Sequence, residues 1–302
     1  MAPMQVLARN ANGKRILMVA NPTSGGYRPK KLAKIKTYLE TAGCDVKLHL
    51  TTRAGEIEDI AANPALNVDI MAIAGGDGSI NEALTGLQSA ANPPHLAVIP
   101  AGTANVLALE LKLPKRPWAI ARSILNQRTR PLHYGLANGH PFVLMASAGL
   151  DAEVVHGLPL DLKRRLGKLA YVLTALKIGF TRQGANVSVE IDGGKELIGK
   201  LVVATNGRFY GGPFVICPDA SVTTSGLHVL VLKNDDPISA IRFCLALLMG
   251  RVHRAKGVTV TAFKTARFLA QIPVAMQIDG DPFGVTPVTI ETGRDHLDIL
   301  VS

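Results

Sequence analysis

Three stretches of the chain combine glycine with hydroxyl and amide side chains in a pattern suited to phosphate: Asn21-Pro22-Thr23-Ser24-Gly25-Gly26, Gly75-Gly76-Asp77-Gly78-Ser79 and Pro100-Ala101-Gly102-Thr103-Ala104-Asn105. Small residues let a backbone approach a ligand closely, and the N–H groups at the start of a following helix attract anions. A single turn of this kind is explained as well by a glycine that ends a strand. Three in succession, each directly after a strand-like run, coincide with the place where open α/β sheets bind ligands. Together they are the parts of a phosphate cradle. Two standard cradles do not fit. A dinucleotide-binding GxGxxG counted from Gly76 and Gly78 would need glycine at Asn81. The stretch Gly194 to Lys200 approaches a Walker loop, but Leu201 stands where Ser or Thr is required and the segment has hairpin character.

Near the C-terminus, Asp279 and Asp281 flank Gly280 after the strand-like run Val274 to Ile278. Transfer of a phosphoryl group to an alcohol needs little covalent help from a protein. The group must be held in line, its charge met by metal and N–H groups, and the hydroxyl proton accepted. A carboxylate near the hydroxyl suffices for the last task. The same residues also read as a plain hairpin corner, since Asp192-Gly193 occupies a similar context with no evident chemistry.

The elements that must position these residues fall into two kinds. From Arg15 to about Gln127, strand-like runs (Arg15 to Ala20, Val46 to Leu50, Ile70 to Ala74, Leu96 to Ile99) alternate with helical periodicity (Pro29 to Thr41, Glu56 to Ala62, Ile80 to Gln88, Ala104 to Leu111, Trp118 to Asn126). That alternation predicts an α/β layered domain with a mostly parallel sheet. From Arg130 onward, strand-like runs are closed by Asn138-Gly139, Asp192-Gly193-Gly194 and Asp279-Gly280, all hairpin signals. The second half is therefore expected to be a β-rich, sandwich-like domain with a few helices, across roughly Asp161 to Phe180 and Pro237 to Met249. The boundary is placed between residues 127 and 128, giving domains 1–127 and 128–302.

Composition sets the limits around this plan. With 302 residues, 47% hydrophobic and 19% charged, the chain has ample core for roughly two domains, and disorder and fibre are excluded. Thirty-three basic against 23 acidic residues give a net charge of +10, which favours phosphates, nucleic acid or a membrane surface without choosing among them. Nucleic acid fits poorly. Eight Phe, five Tyr and one Trp leave few stacking platforms, the basic residues are dispersed, and no zinc-finger, RRM or KH pattern occurs. Cys44, Cys217 and Cys244 suggest neither a disulfide framework nor a zinc site, which points to a reducing cytosol. No signal-peptide core precedes Arg15. The segment Ile238 to Met249, interrupted by Arg242, is short of the roughly 20 apolar residues that span a bilayer, so no crossing is expected. Leu158 to Lys177 interleaves leucines with Lys163, Arg164, Arg165 and Lys168. It suits either an anionic membrane interface or a helix capping the β domain. Edge strands would permit a homodimer, although no residue pattern demands one.

With the blocks NPTSGG at 21–26, GGDGSINEALTGL at 75–87, PAGTANVLALEL at 100–111 and IDGDP at 278–282, the chain resembles the diacylglycerol kinase catalytic-domain family, which includes bacterial lipid kinases and the sphingosine kinases. The resemblance covers nearly the whole chain. It implies that Asn21, Thr23, Ser24 and Gly25 form the first nucleotide-contacting turn and that Thr51 matches a threonine after the second strand. Gly75, Gly76, Asp77, Gly78, Ser79, Asn81 and Glu82 would form the main nucleotide loop, with Gly102 and Thr103 in the third turn. Ser79 stands where the family usually has threonine. Asp77 is implied at the reaction centre, near phosphates and metal. The family's Asp-Gly-Glu triplet, here Asp279-Gly280-Asp281, implies a general base at Asp279 and a metal-organising acid at Asp281, one methylene shorter than usual. In Ser147 to Glu153, the resemblance puts Asp151 and Glu153 on the substrate side. Glu153 matches an acid that meets the lipid head group, or it is a solvated acid favoured at a helix start. Pro218 to Gly226 lacks the paired acids with which bacterial members hold a structural magnesium.

The implied protein is an ATP- and Mg²⁺-dependent kinase of a lipid alcohol, diacylglycerol first. Nucleotide is expected on the first domain, lipid in the second and chemistry in a cleft between. It would be cytoplasmic, with peripheral contact at an anionic membrane and no nucleic-acid partner. A soluble NAD-kinase-like enzyme, which shares GGDG, and a catalytically silent nucleotide or lipid binder are the alternatives.

Overall fold

The computed structural model describes residues 13–149, 185–234 and 236–302. The chain divides into two compact units, one of Met1–Leu132 with Asp295–Ser302 and one of His133–Arg294. The first unit is built on strands β1 (Arg15–Ala20), β2 (Asp45–Leu50), β3 (Ile70–Gly75), β4 (His95–Pro100), β5 (Thr129–Leu132) and β20 (Leu297–Leu300), in the order β2-β1-β3-β4-β20-β5. All neighbours are parallel except β20 and β5. Every residue of β3 is buried, as a central parallel strand covered on both faces requires.

Helices α1 (Pro29–Thr41) and α5 (Pro117–Leu125) cover one face. Leu32, Ile35 and Leu39 of α1 and Ile120 and Ile124 of α5 share a core with Ile16, Met18, Ile70, Ala72 and Ile99. Helices α2 (Glu56–Ala62) and α3 (Asp77–Leu87) pack against each other. Their approach is set by Gly86, where an added Cβ would lie 2.5 Å from the Glu58 carbonyl oxygen. Helix α4 (Val106–Glu110) follows the third turn.

In the second unit, two six-stranded antiparallel sheets form around one core among the described residues. One runs β10 (Lys195–Gly199), β9 (Val187–Ile191), β16 (Thr265–Leu269), β19 (Val288–Thr292), β6 (Gly135–Ala137), β7 (His140–Phe142). The other runs β15 (Val258–Phe263), β14 (Leu227–Leu232), β11 (Leu201–Thr205), β8 (Met145–Gly149), β17 (Ala275–Ile278), β18 (Asp281–Val285), while the short strands β12 (Phe209–Tyr210) and β13 (Phe214–Val215) pair with each other. Alternate residues Val187, Val189 and Ile191 of the first sheet and Val202, Ala204, Val229 and Val231 of the second belong to the same buried cluster. This is the inward-outward alternation of a β-sandwich. Helix α6 (Pro237–Leu248) is N-capped by Asp236, whose carboxylate accepts the Ser239 N–H at 3.0 Å.

The expected fold class therefore describes the molecule, with three corrections to its outline. The expected boundary gave residues 128–302 to the second domain, but β5 and the chain's last strand both belong to the first unit's sheet. Leu297, Ile299 and Leu300 are buried, so their place is fixed by an apolar slot beside β4 that no earlier strand fills. Helix α3 starts at Asp77, earlier than the expected Ile80, because Gly76 serves as its N-cap and places Asp77, Gly78 and Ser79 in the first turn. Helix α4 starts at Val106, later than the expected Ala104, because Asn105 adopts a left-handed conformation at φ 50°. The helix expected across Asp161 to Phe180 lies outside the described residues.

Candidate functional site

The three glycine-rich turns follow β1, β3 and β4, which are neighbours in the sheet, and the structure brings them into mutual contact. In the first turn, Asn21 Oδ1 accepts the Thr23 N–H at 2.9 Å and its hydroxyl at 2.7 Å, which folds the segment back on itself. The Gly26 N–H then donates to the Ala101 carbonyl at 2.7 Å and ties the first turn to the third. The Ala101 N–H donates to the Gly75 carbonyl at 3.0 Å and ties the third to the second. Contact between the turns is close enough to require glycine at Gly102 and Gly26 and is tight at Gly25. A Cβ on Gly102 would lie 2.4 Å from the Gly76 Cα, one on Gly26 2.7 Å from the Ala101 carbonyl oxygen, and one on Gly25 3.0 Å from the Thr103 hydroxyl.

Asp77 fastens the second turn to the helix after the third. Its two carboxylate oxygens accept the N–H groups of Val106 and Leu107, each at 3.0 Å, and so satisfy donors that a helix start leaves open. Asn105 holds the third turn's bend, accepting the Gly102 N–H and donating to the Gly102 carbonyl, both at 2.7 Å. Ser79 is 6% exposed, and an added Cβ on Gly75 would meet its hydroxyl at 2.3 Å. The hydroxyl expected on the main loop thus lies packed over Gly75. Gly76, Asp77 and Gly78 remain half-buried and Thr103 is exposed.

Thr51 is placed beside these turns by β2. It is buried, and its N–H donates to the Ala20 carbonyl at 2.9 Å, at the end of β1. Asn81 and Glu82 lie further along α3, half-buried; the exposed Arg53 guanidinium has its pKa raised chiefly by its hydrogen bond and charge pairing with Asp59, with smaller pulls from Glu56 and then Glu82. Glu56 accepts the N–H groups of Thr52 and Arg53, the Thr52 hydroxyl and a bond from the His49 ring. These bonds, led by the Thr52 N–H, hold its carboxyl down to about 2. One cation at the turns was not singled out from sequence. The Lys31 ammonium donates to the Pro100 carbonyl at 2.9 Å, and burial, then the Lys115 charge, lowers its pKa. Lys31 sits on α1, outside the glycine blocks, so motif reading passes over it.

The second unit's acids stand at a hairpin corner. Asp279 and Gly280 join β17 to β18 with φ values of 49° and 92°, the paired left-handed conformation of a two-residue turn. Asp279 Oδ1 accepts the N–H groups of Leu144 at 2.8 Å and Met145 at 3.0 Å, Oδ2 accepts that of Val143 at 2.7 Å, and its own N–H donates to the Met145 carbonyl at 2.9 Å. Two other corners of this unit share the arrangement. Asn138 exchanges such bonds with Thr289, and Asp192 with Thr265 and Lys264. The corner reading of Asp279 is therefore a fact of the fold, and only Asp279 engages both oxygens. Gln277 steadies the same turn, accepting the Gly280 N–H at 2.7 Å and donating to the Ser147 hydroxyl at 2.7 Å. Asp281 opens β18 and is exposed. Asp151 and Glu153 lie outside the described residues, as does the basic segment Leu158 to Lys177.

Among the described residues, no group of three His, Cys, Asp or Glu side chains gathers where a metal could be held. In the Pro218 to Gly226 stretch, the Ser221 and Thr223 hydroxyls lie 3.0 Å apart and the Thr223 N–H donates to Ser221. The near-Walker stretch lies in β10 and the start of β11, with no helix after it. No helix among the described residues is long and apolar enough to cross a membrane.

An α/β unit with phosphate-type turns at adjacent strand ends, joined to an antiparallel sandwich, is the architecture of a kinase-type protein. The chain belongs to the diacylglycerol kinase family: residues 15–137 match the diacylglycerol kinase catalytic domain, and residues 145–301 match the YegS C-terminal NAD kinase beta sandwich-like domain. It is 32% identical over 294 residues to the diacylglycerol kinase of Bacillus subtilis (strain 168), covering 95% of this chain and 96% of the relative. The diacylglycerol kinase of Staphylococcus carnosus (strain TM300) is 26% identical over 301 residues, covering 95% and 94%. Two solved structures from Bacillus anthracis str. Sterne share the fold. One has a TM-score of 0.82 at 24% identity over 96% of this chain and 95% of the other; the second, of a diacylglycerol kinase, has a TM-score of 0.73 at 20% identity over 96% and 97%.

Proposed function

We propose that this protein is an ATP-dependent lipid kinase that transfers the γ-phosphate to the hydroxyl of a lipid alcohol, with diacylglycerol the first candidate. The observation that carries the reading is the contact of three glycine turns at adjacent strand ends, where Gly102 approaches Gly76 so closely that a Cβ on Gly102 would lie 2.4 Å from the Gly76 Cα. Bare backbone of this kind, with the start of α3 carrying no side-chain cap from Gly76, suits a polyphosphate. Asn21, Thr23, Ser24, Gly25, Gly75, Gly76, Gly78, Gly102 and Thr103 would bind and orient the nucleotide, with Thr51, Asn81 and Glu82 beside them. Lys31 would add positive charge. When bound, ATP would supply the phosphoryl group and Mg²⁺ would offset its charge; on the resemblance alone, Asp77 and Asp281 are the acids proposed for the ion.

Asp279 would accept the proton of the lipid hydroxyl. Three backbone N–H donors fix where this carboxylate sits. Asp151 and Glu153 are proposed to meet the lipid, on the resemblance alone. The test is radiolabelled ATP with Mg²⁺, incubated with diacylglycerol, sphingoid bases, ceramide and NAD. Label in a lipid is the expected result. Label in NAD alone would turn the assignment to the NAD-kinase-like reading, which the description of the second domain keeps in view. Transfer to none, with ATP still bound, would leave a silent binder.

A further inference from the structure

Apart from Ser239 and Arg242, helix α6 is built of apolar residues. At about 100° per residue, Ala246 and Leu247, both buried, mark the face that rests on the protein. The opposite face carries Ile238 (60% exposed), Ile241 (44%), Leu245 (52%), Leu248 (61%) and Met249 (64%), which fall within about 100° of one another on the helix. A surface helix of a globular protein ordinarily turns polar residues to this side. Exposed Arg242 lies along the edge of the stripe, and exposed Arg251, Arg254 and Lys256 follow the helix directly. The sequence from Pro237 to Lys256 contains no Asp or Glu. The Asp236 carboxylate, at the helix start, is engaged by Ser239.

We infer that α6 is the surface by which this protein docks on an anionic lipid bilayer, its isoleucines and leucines entering the headgroup boundary and its arginines facing lipid phosphates. An apolar face bordered only by positive charge complements such a surface. It suits self-association poorly. A two-fold contact through this face would bring the arginines of one copy against those of the other with no carboxylate from the segment to pair them. The inference deepens the lipid-kinase reading and rests on it for the choice of bilayer, but it concerns residues that take no part in the phosphate turns or the Asp279 corner.

Sedimentation with phosphatidylglycerol-containing vesicles, without ATP, tests it. The wild-type protein should partition to these vesicles and lose at least tenfold in partition on neutral phosphatidylcholine or at high salt. L245D, and separately the milder pair I241S/L245S, should lose at least tenfold on anionic vesicles while ATP-analogue binding and phosphorylation of detergent-dispersed lipid stay at wild-type levels. Unchanged partition of both variants would overturn the inference even if lipid is phosphorylated. Docking that depends on these residues in a protein that labels no lipid would uphold the surface and sink the kinase reading. A wild-type dimer by light scattering that L245D converts to monomer, without any change in vesicle binding, would assign the face to a second copy and overturn docking.

Discussion

Asp279 carries two roles that a single substitution can separate. Its corner role is to accept backbone N–H groups, and Asn138 performs the same role at another corner with an amide oxygen. Asp279→Asn should therefore keep the bonds to Leu144 and Met145 while turning an amide NH₂ against the Val143 N–H, at a cost of roughly 1–3 kcal/mol in stability. If the carboxylate accepts the hydroxyl proton, turnover should fall by about 10²–10⁴-fold with the ATP-analogue Kd little changed, as isothermal titration and single-turnover kinetics would show. Asp192→Asn, at the equivalent corner, should leave turnover at the wild-type level. A D279N enzyme with unaltered turnover would confine Asp279 to holding β8 against its hairpin. Motif reading found Asp279 and its alternative, but not the shared corner geometry, because the donors at 143–145 lie far away in sequence and carry no motif.

Where elements meet, the contact of Gly76 with Gly102 makes a sharp prediction. Gly102→Ala places a methyl group 2.4 Å from backbone, so the second and third turns must move apart. Stability should drop by about 1–3 kcal/mol, the usual cost of forced overpacking, and ATP-analogue affinity should fall with it. Gly193→Ala, with nothing near its Cβ position, should leave nucleotide affinity unchanged. Strand β14 adds a pH dependence. Burial lowers the pKa of His228 below its ordinary 6.5, against an opposing pull from Asp219. The folded state thus binds fewer protons there than the unfolded chain, so this contribution to stability is full above about pH 6.5 and is lost as pH falls through the folded value. Thermal unfolding midpoints should decline below pH 6.5 more steeply in the wild type than in His228→Leu. Glu56 acts in the same direction at lower pH, its contribution fading between its ordinary 4.5 and about 2. The elements themselves were largely legible: α1 and α2 follow apolar periodicity to their ends, and Asn138-Gly139, Asp192-Gly193 and Asp279-Gly280 are each a hairpin. The start of α3 was not, because Gly and Asp read as loop until Gly76 is seen to cap the helix.

At the scale of the whole molecule, the closing strand β20 ties chain order to stability. Burial of Leu297, Ile299 and Leu300 contributes about 1.5–3 kcal/mol each, a sum comparable to the roughly 5–15 kcal/mol that holds a domain folded. A chain ending at Arg294 should accordingly lose both the cooperative unfolding transition of the first unit, by calorimetry, and its ATP-analogue binding. The second unit, which contains no part of β20, should keep its own transition. Sequence order hid this strand, since periodicity describes local segments and says nothing about which distant sheet a final apolar run will join. It bears on how the protein is made. A nascent chain that has delivered all of β1 to β5 from the ribosome still lacks the piece that sits between β4 and β5, so the half translated first is completed only after the whole of the second unit has been made.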